Sequence, residues 1–432
     1  MTVRPLPQLS ELVNRHKHVA LLWDERLEGR ALLGVGSAKS ICVEQPKPGD
    51  WRLWEGLTKD ATQRGRWSMG WIGYDMHRHA GASPSHNEQH QELVPPHPGG
   101  WPVLHWWEPE VVLEWAAGER EPQVVVGEDA DMVADVLDAL NGPIVEPEGM
   151  NSREGWTPLA PSWDKATYLK KFDAVQKALQ RGDIYEMNLC MPWVGQAPGS
   201  ASWPLFERLA KETKAPHSAY VQAGDHRVLC ASPERFLERR GSKLTSQPIK
   251  GTAKRDKDPV RDKAMRERLG QSEKERAENV MIVDLVRNDL SHVAAPNSVE
   301  VEELFGLHTF STVHQMISTV SCTLRKDVTP LEVMQATFPM GSMTGAPKRS
   351  AMDHISRIEG VQRGVYSGTI GYIDGQGDFD MNVVIRSLLH RADTGRVDAT
   401  VGGALTLLAQ GEEEHEECLL KIHALRTCMG HE

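Results

Sequence analysis

Several stretches of this 432-residue chain place charged side chains where a purely structural role would be costly. In the segment Glu273–Leu290 the apolar positions Met281, Ile282, Leu285 and Val286 mark the buried stripe of a helix. Glu278 lies three and four residues ahead of Met281 and Ile282, on or beside that stripe. A lone buried carboxylate is unfavourable unless it is paired or binds a metal; at the stripe's edge it reaches solvent or an arginine instead. Near the C-terminus, Glu414, Glu417 and Lys421 recur at i, i+3 and i+7, one face of a second helix. The acidic run Glu412–Glu417 is either a solvated helix start favoured by the helix dipole or, with Glu278, a source of hard oxygen ligands. Magnesium takes such ligands, one or two carboxylates completed by substrate oxygens and waters.

In Gln247-Pro-Ile-Lys-Gly-Thr252, Lys250 stands between an apolar approach and a glycine. There it is an exposed loop charge or, if desolvated beside a cation, an amine of depressed pKa and a nucleophile. Glu234, in Ser232-Pro-Glu-Arg-Phe236, follows a predicted strand and is either a general acid or a partner for Arg235. Gly341-Ser-Met-Thr-Gly-Ala-Pro-Lys348 is a Gly-rich turn opening a helix at Pro347, a favoured first-turn residue. Such a helix start can hold an anion. A Walker loop, however, needs Gly-x4-Gly-Lys-Ser/Thr. Here the second glycine comes one residue early and Ala-Pro precedes Lys348, which disfavours ATP.

Hydrophobic spacing predicts the elements that position these groups. Strands are expected at His18–Trp23, Ala31–Val35, Val103–Trp107, Gln123–Val126, Ser218–Ala223, Arg227–Ala231, Val365–Ile373 and Phe379–Leu389, the last carrying Asn382 and Arg386. Helices are expected at Trp163–Arg181 (N-cap Ser162), Lys257–Gly270, Glu273–Leu290, Pro330–Thr337, Pro347–Glu359 and Glu412–Met429. This mixture predicts an α/β or α+β fold. Residues 142–162 are rich in Pro, Gly, Glu and Ser. They divide the chain into an N-terminal region at 1–145, a linker at 146–162 and a C-terminal region at 163–432.

Lys and Arg total 49 against 60 Asp and Glu, a formal charge of -11. An acidic chain is a poor general polyanion binder, which argues against nucleic acid. The six cysteines are scattered without a CxxC pair, so neither a zinc cluster nor a disulfide framework is indicated. No signal peptide or long apolar run appears, so no membrane association and a cytoplasmic protein are expected.

Gly182-Asp-Ile-Tyr-Glu-Met-Asn-Leu189, Ser232–Phe236, Pro248–Thr252, Ala277–Asp289, Gly341–Lys348, Tyr366–Tyr372, Ile385-Arg-Ser387, Gly402-Gly403 and Glu414-x-x-Glu417-x-x-x-Lys421 occur in one order. In these segments the chain resembles the chorismate-utilising enzymes, which include anthranilate, aminodeoxychorismate, isochorismate and salicylate synthases. The likeness is close from Gly182 onward and looser before, where Gly70-Trp-Ile-Gly-Tyr74 is similar to the family's N-terminal region.

The resemblance implies a large fold of face-to-face β-sheets with helices outside. It implies Mg2+ on the ring carboxylate of chorismate, with Glu278 and Glu417 as ligands and Glu414 close by. Arg386 and Tyr366 match positions that hold the enolpyruvyl carboxylate, which an arginine fork meets bidentately. Gly403, Gly345, Thr344, Gly251, Thr252 and Lys421 complete the implied cradle. Lysine where anthranilate synthases carry alanine resembles the aminodeoxychorismate-forming branch, which serves 4-aminobenzoate and folate synthesis. There Lys250 adds at C2 while the C4 hydroxyl departs with a proton from Glu234; ammonia then adds at C4 and expels the lysine. Two allylic displacements replace one difficult step, magnesium neutralises substrate charge, and Glu234 needs a raised pKa.

The family also implies ammonia from free ammonium or from a separate glutamine amidotransferase subunit, since no cysteine here has the Gly-x-Cys-x-Gly context of that nucleophile. The rival expectations are anthranilate or isochorismate synthesis, and an inactive chorismate-binding homologue. The chain departs from the family pattern at Glu186, where glutamine is frequent, at Ser291-His292 and at Val401. Gln315 falls where the anthranilate branch carries histidine, with His314 one residue early. Leu21-Leu-Trp-Asp24 lacks the serine of tryptophan-inhibited members, so tryptophan feedback is not expected.

Overall fold

Alternation along His18–Trp23 sets the layering of the molecule. Val19, Leu21 and Trp23 face helices, whereas Ala20 and Leu22 face a second sheet. The computed structural model describes residues 6–24, 26, 29–79, 94–141 and 155–430. All strand pairs among them are antiparallel, so the fold is α+β.

One sheet runs Gly345–Ala346, Glu186–Gln196, Arg396–Leu405, Ser387–Arg391, His226–Ser232, His217–Ala223, His18–Trp23, Ala31–Val35, Val111–Trp115 and Gln123–Gly127. The other runs Ile249–Lys254, Val313–Thr323, Lys243–Gln247, Arg235–Arg240, Phe379–Asn382, Thr369–Ile373, Ser68–Ile72, Leu104–Glu108 and Lys39–Val43. Their inner faces meet in an apolar layer, with Val112, Val221 and Val228 against Met69, Trp71 and Trp107. Helices Lys165–Arg181, Ser202–Thr213, Lys348–Glu359 and Gly411–Cys428 cover the first sheet's outer face. Helices Asp50–Gln63, Glu273–Ser291 and Pro330–Thr337 cover the second's.

The N-terminal and C-terminal regions share both sheets. His18–Trp23 pairs with His217–Ala223, and Ser68–Ile72 pairs with Thr369–Ile373. Gly70 lets Ser68–Ile72 nest against its other neighbour, Leu104–Glu108, because a Cβ there would lie 2.1 Å from the His105 carbonyl oxygen. Of the expected linker, residues 146–154 lie outside the described residues, while Thr157–Pro161 forms a strand beside Glu186–Gln196.

Three expectations about elements are corrected. Phe379–Leu389 is not one strand: Phe379–Asn382 belongs to the second sheet and Ser387–Arg391 to the first. The chain crosses between them through Arg386, whose φ of 52° no strand accommodates. The first helix of the C-terminal region is capped by Asp164, not Ser162; its carboxylate accepts from the Thr167 amide at 2.8 Å. Pro347 is the N-cap of the helix that begins at Lys348, one position outside the expected first turn. No helix of the described residues is long and apolar enough to cross a membrane.

Cutting the chain to residues 163–432 strips the strands that cover His217–Ala223 and Thr369–Ile373. The expected product binds hydrophobic dyes and loses its cooperative thermal transition. A sharp transition at the full chain's midpoint would show the first region to be dispensable.

Candidate active site

The charged groups singled out above gather where the chain passes from one sheet to the other. His226–Ser232 ends in the first sheet and Arg235–Arg240 begins in the second, leaving Glu234 in the crossing. Arg386 occupies the second crossing, between Phe379–Asn382 and Ser387–Arg391. Lys250 projects from Ile249–Lys254 and Glu186 opens Glu186–Gln196 in the opposite sheet. Helix Glu273–Ser291 brings Glu278, and helix Gly411–Cys428 brings Glu414, Glu417 and Lys421.

Lys250 is 8% exposed, and its Nζ lies 2.8 Å from Glu186 Oε1, itself on a 4% exposed residue. The expectation of a lysine depressed by a neighbouring cation is therefore corrected. Burial alone lowers its pKa, but Glu186, Glu278 and Glu234 together carry it above the ordinary lysine value. Lys250 rests as an ammonium among carboxylates.

Glu234 is 5% exposed and is no partner of Arg235, which forks onto Asp380 at 2.9 and 3.0 Å. Burial pushes Glu234 up to about 7, against the opposing pull of the Lys250 charge and nearby hydrogen-bond donors. A carboxyl neutral near pH 7 can donate a proton. Burial likewise raises Glu278 to about 7.

Lys274 stands between the two helices, 4.0 Å from Glu278 and 3.6 Å from Glu414. Burial, then the charge of Glu417, raises Glu414. Burial would raise Glu417 too, but Lys421 at 2.6 Å holds it below the ordinary value. Lys421 also donates to the Gly402 carbonyl at 2.8 Å and so serves as a clamp on Glu417. A Cβ at Gly403 would lie 2.9 Å from Glu414 Oε2, so glycine keeps the carboxylate pocket open. Glu414 and Glu417 repel each other, and carboxylate oxygens of this kind are the ligands a hard cation such as magnesium takes. Among the described residues no three His, Cys, Asp or Glu side chains are gathered in a way that could hold a metal ion.

The Arg386 guanidinium forms no hydrogen bond or ion pair with described residues; burial lowers its pKa, and the groups that oppose this are Tyr366 and Glu417. Its left-handed backbone is strained by about 1–3 kcal/mol, a feature that concentrates at ligand clamps. The remaining cradle residues are placed differently. The Thr344 hydroxyl turns inward onto the Gly341 carbonyl at 3.1 Å, its amide donates to the same carbonyl and its own carbonyl accepts from the Asn188 amide, so Thr344 buttresses the turn. Gly345 lets the turn press on Glu186, since a Cβ would sit 2.1 Å from the Glu186 carbonyl oxygen. Gly251 holds a φ of 89° beside Glu275. Thr252 has an exposed side chain, and its strand pairs it with Gln315.

Lys348 donates to Asp289 at 2.6 Å and to the Thr337 carbonyl at 2.9 Å, so it is committed to structure and not to a phosphate. His314 lies between Asp262 and Thr309, 3.0 Å from each, as a satisfied buried histidine. Sequence reasoning missed the pair that braces the cradle. Arg363 forks onto Glu359 at 2.6 and 2.8 Å and donates to the carbonyls of Met343 and Asn188 at 2.7 and 2.9 Å. The Tyr74 ring lies 4.6 Å from the same guanidinium, which ties the Gly70–Tyr74 segment to the site. Glu359 continues the buried stripe of Ala351 and Ile355, the signal that could have marked it, whereas Arg363 lies beyond the end of that helix and carries none.

With this geometry in place, the chain matches the family model described as chorismate binding enzyme over residues 18–427 and belongs to that family. It is 36% identical over 373 residues to the aminodeoxychorismate synthase of Streptomyces griseus, covering 83% of this chain and 50% of that protein. It is 38% identical over 261 residues to aminodeoxychorismate synthase component 1 of Salmonella typhimurium, covering 60% of this chain and 57% of that one. The chain thus spans about half the length of these relatives. Anthranilate synthase component I from Streptococcus pneumoniae superposes with a TM-score of 0.76 at 23% identity, covering 92% of each chain, which shows the shared fold.

Two outcomes test the electrostatics. Glu359→Ala leaves the Arg363 guanidinium buried without its counter-charge, and a loss of about 3–5 kcal/mol is expected in thermal or denaturant unfolding. Glu234 gains folded-state stability as a neutral acid, a contribution complete below its ordinary value of 4.5 and lost as pH rises through about 7. Glu234→Gln is therefore expected to melt with the parent in acid and above it on the alkaline side of that range. Identical melting at every pH would show that Glu234 is not desolvated.

Proposed function

We propose that the chain converts chorismate and ammonia into 4-amino-4-deoxychorismate, the precursor of 4-aminobenzoate and folate. The observation that carries this reading is Lys250, a buried lysine amine set between Glu186 and an acid, Glu234, that is half protonated near neutral pH. The aminodeoxychorismate synthases of Streptomyces griseus and Salmonella typhimurium, as relatives, support the same branch. An anthranilate or isochorismate product has no such use for a nucleophilic lysine.

In this mechanism the unpaired Arg386 fork and Tyr366 grip the enolpyruvyl carboxylate. Glu278, Glu414 and Glu417 would hold magnesium, which would neutralise the ring carboxylate. Lys250 then attacks C2 as Glu234 protonates the departing C4 hydroxyl, and ammonia displaces the lysine through C4. Gly345 and Gly403 line the cradle, Thr344 buttresses it, and Arg363 with Glu359 keeps it rigid. Ammonia comes from a glutamine amidotransferase partner, in keeping with the term component 1 in the Salmonella relative's name. Six free cysteines, five of them buried, fit a reducing cytoplasm.

The test is product analysis with the purified chain, chorismate, magnesium and ammonium, coupled to a lyase that releases 4-aminobenzoate. Product is expected from the parent, none from Lys250→Ala, and about 10²–10⁴-fold less from Glu234→Gln. Anthranilate or isochorismate in place of 4-aminobenzoate, or full activity in Lys250→Ala, would overturn the proposal.

A further inference from the structure

An amine that must attack carbon cannot do so while it holds its extra proton. In the resting site Lys250 is an ammonium 2.8 Å from the Glu186 carboxylate: burial opposes its charge, but Glu186, Glu278 and Glu234 outweigh it, with Glu417 facing it from the C-terminal helix. Glu275 and Lys274 stand behind Glu278 on the same helix. Some group inside the site has to accept the proton, because the residue is nearly sealed from bulk water.

We propose that Glu186 is that acceptor, a catalytic base that takes a proton from Lys250 at the start of each turnover and returns it at the end. The inference rests on the function proposed above and assigns the residue that activates its nucleophile. Geometry carries it. Glu186 makes the sole ion pair of Lys250 among the described residues, at 2.8 Å and directed at Nζ. Its backbone is pinned by Gly345, whose missing Cβ allows contact at the Glu186 carbonyl, and by the pairing of Ala346 with Glu186. Glu234 cannot fill the same role, since it must carry a proton to the C4 hydroxyl when the amine attacks. The two carboxyls divide acid and base between them.

The proton count closes. Lys250 ammonium gives a proton to the Glu186 carboxylate. The free amine forms the C2–N bond, the ring double bonds shift, and the C4–O bond breaks with Glu234 delivering its proton, so the hydroxyl leaves as water. Ammonia forms the C4–N bond, the double bonds shift back, and the C2–N bond breaks to release Lys250 as amine. Glu186 returns its proton to Lys250, and Glu234 recovers one from the product ammonium or from solvent.

The test compares the full-length parent with Glu186→Gln, Glu186→Asp and Lys250→Ala in ammonium-dependent turnover from about pH 6 to about pH 9, a range spanning shifted carboxylate and lysine values. Glu186→Gln is expected to lower kcat about 10²-fold near neutral pH, with KM for chorismate little changed, and to recover as pH rises and hydroxide replaces the lost base. Glu186→Asp is expected to keep the parent's profile at a reduced rate. A Glu186→Gln enzyme with parental kcat and pH profile reduces Glu186 to a counter-ion and overturns the inference, leaving the proposed function intact if Lys250→Ala is dead. If the glutamine variant does not fold, the aspartate variant decides: a parental profile supports the base, and a glutamine-like recovery only at high pH overturns it. Activity in Lys250→Ala would instead sink the underlying function.

Discussion

An ammonium group inside a protein needs a counter-charge, and in this molecule that need joins the two sheets. Lys250 projects from an edge strand of one sheet and Glu186 from the neighbouring strand of the other, so their pair spans the gap in which the candidate site lies. The crossings that carry Glu234 and Arg386 open onto the same gap. Sheet packing elsewhere is apolar, with indoles and aliphatic chains closing the space. Where the sheets part, charge takes over from packing, and the interior becomes a place where protons and carboxylates can be handled.

That polar interior is held in shape by groups that do no chemistry. Arg363 and Glu359 form a fully enclosed pair that fastens the Gly341–Lys348 turn to strand Glu186–Gln196 through the Met343 and Asn188 carbonyls. Asn188 adds bonds to Ser342 and Thr344, and Lys348 locks the far end onto Asp289. Tyr74 packs against Arg363, and Asp75 accepts from the Gly364 amide at 2.8 Å. The N-terminal region thereby reaches the site by contact and is part of its scaffold.

Electrostatic differences among chemically similar groups follow from this arrangement. Glu234, Glu278 and Glu417 are all glutamates in or near one cavity, yet burial raises the first two and Lys421 holds the third down. One lysine is drawn up by three carboxylates, while another serves only to fix Glu417. Roles are set by neighbours, not by residue type.

Much of this was legible in the sequence. Helical spacing located six helices and period-two spacing several strands of each sheet, though Glu186–Gln196, Val313–Thr323 and Arg396–Leu405 were not expected; Glu278, read as on or beside an apolar stripe, is buried. Ordered segments pointed to the family. Tertiary structure alone decided the rest. Glu186 read as a departure from a pattern until folding set it against Lys250, 64 residues away. Arg386 read as one residue of a long strand until the chain was seen to change sheets there. Arg363, beyond the end of a helix, gave no periodic signal at all. The reason is physical: spacing along a chain reports which face of an element avoids water, whereas a charge's state depends on groups brought close only when distant elements pack.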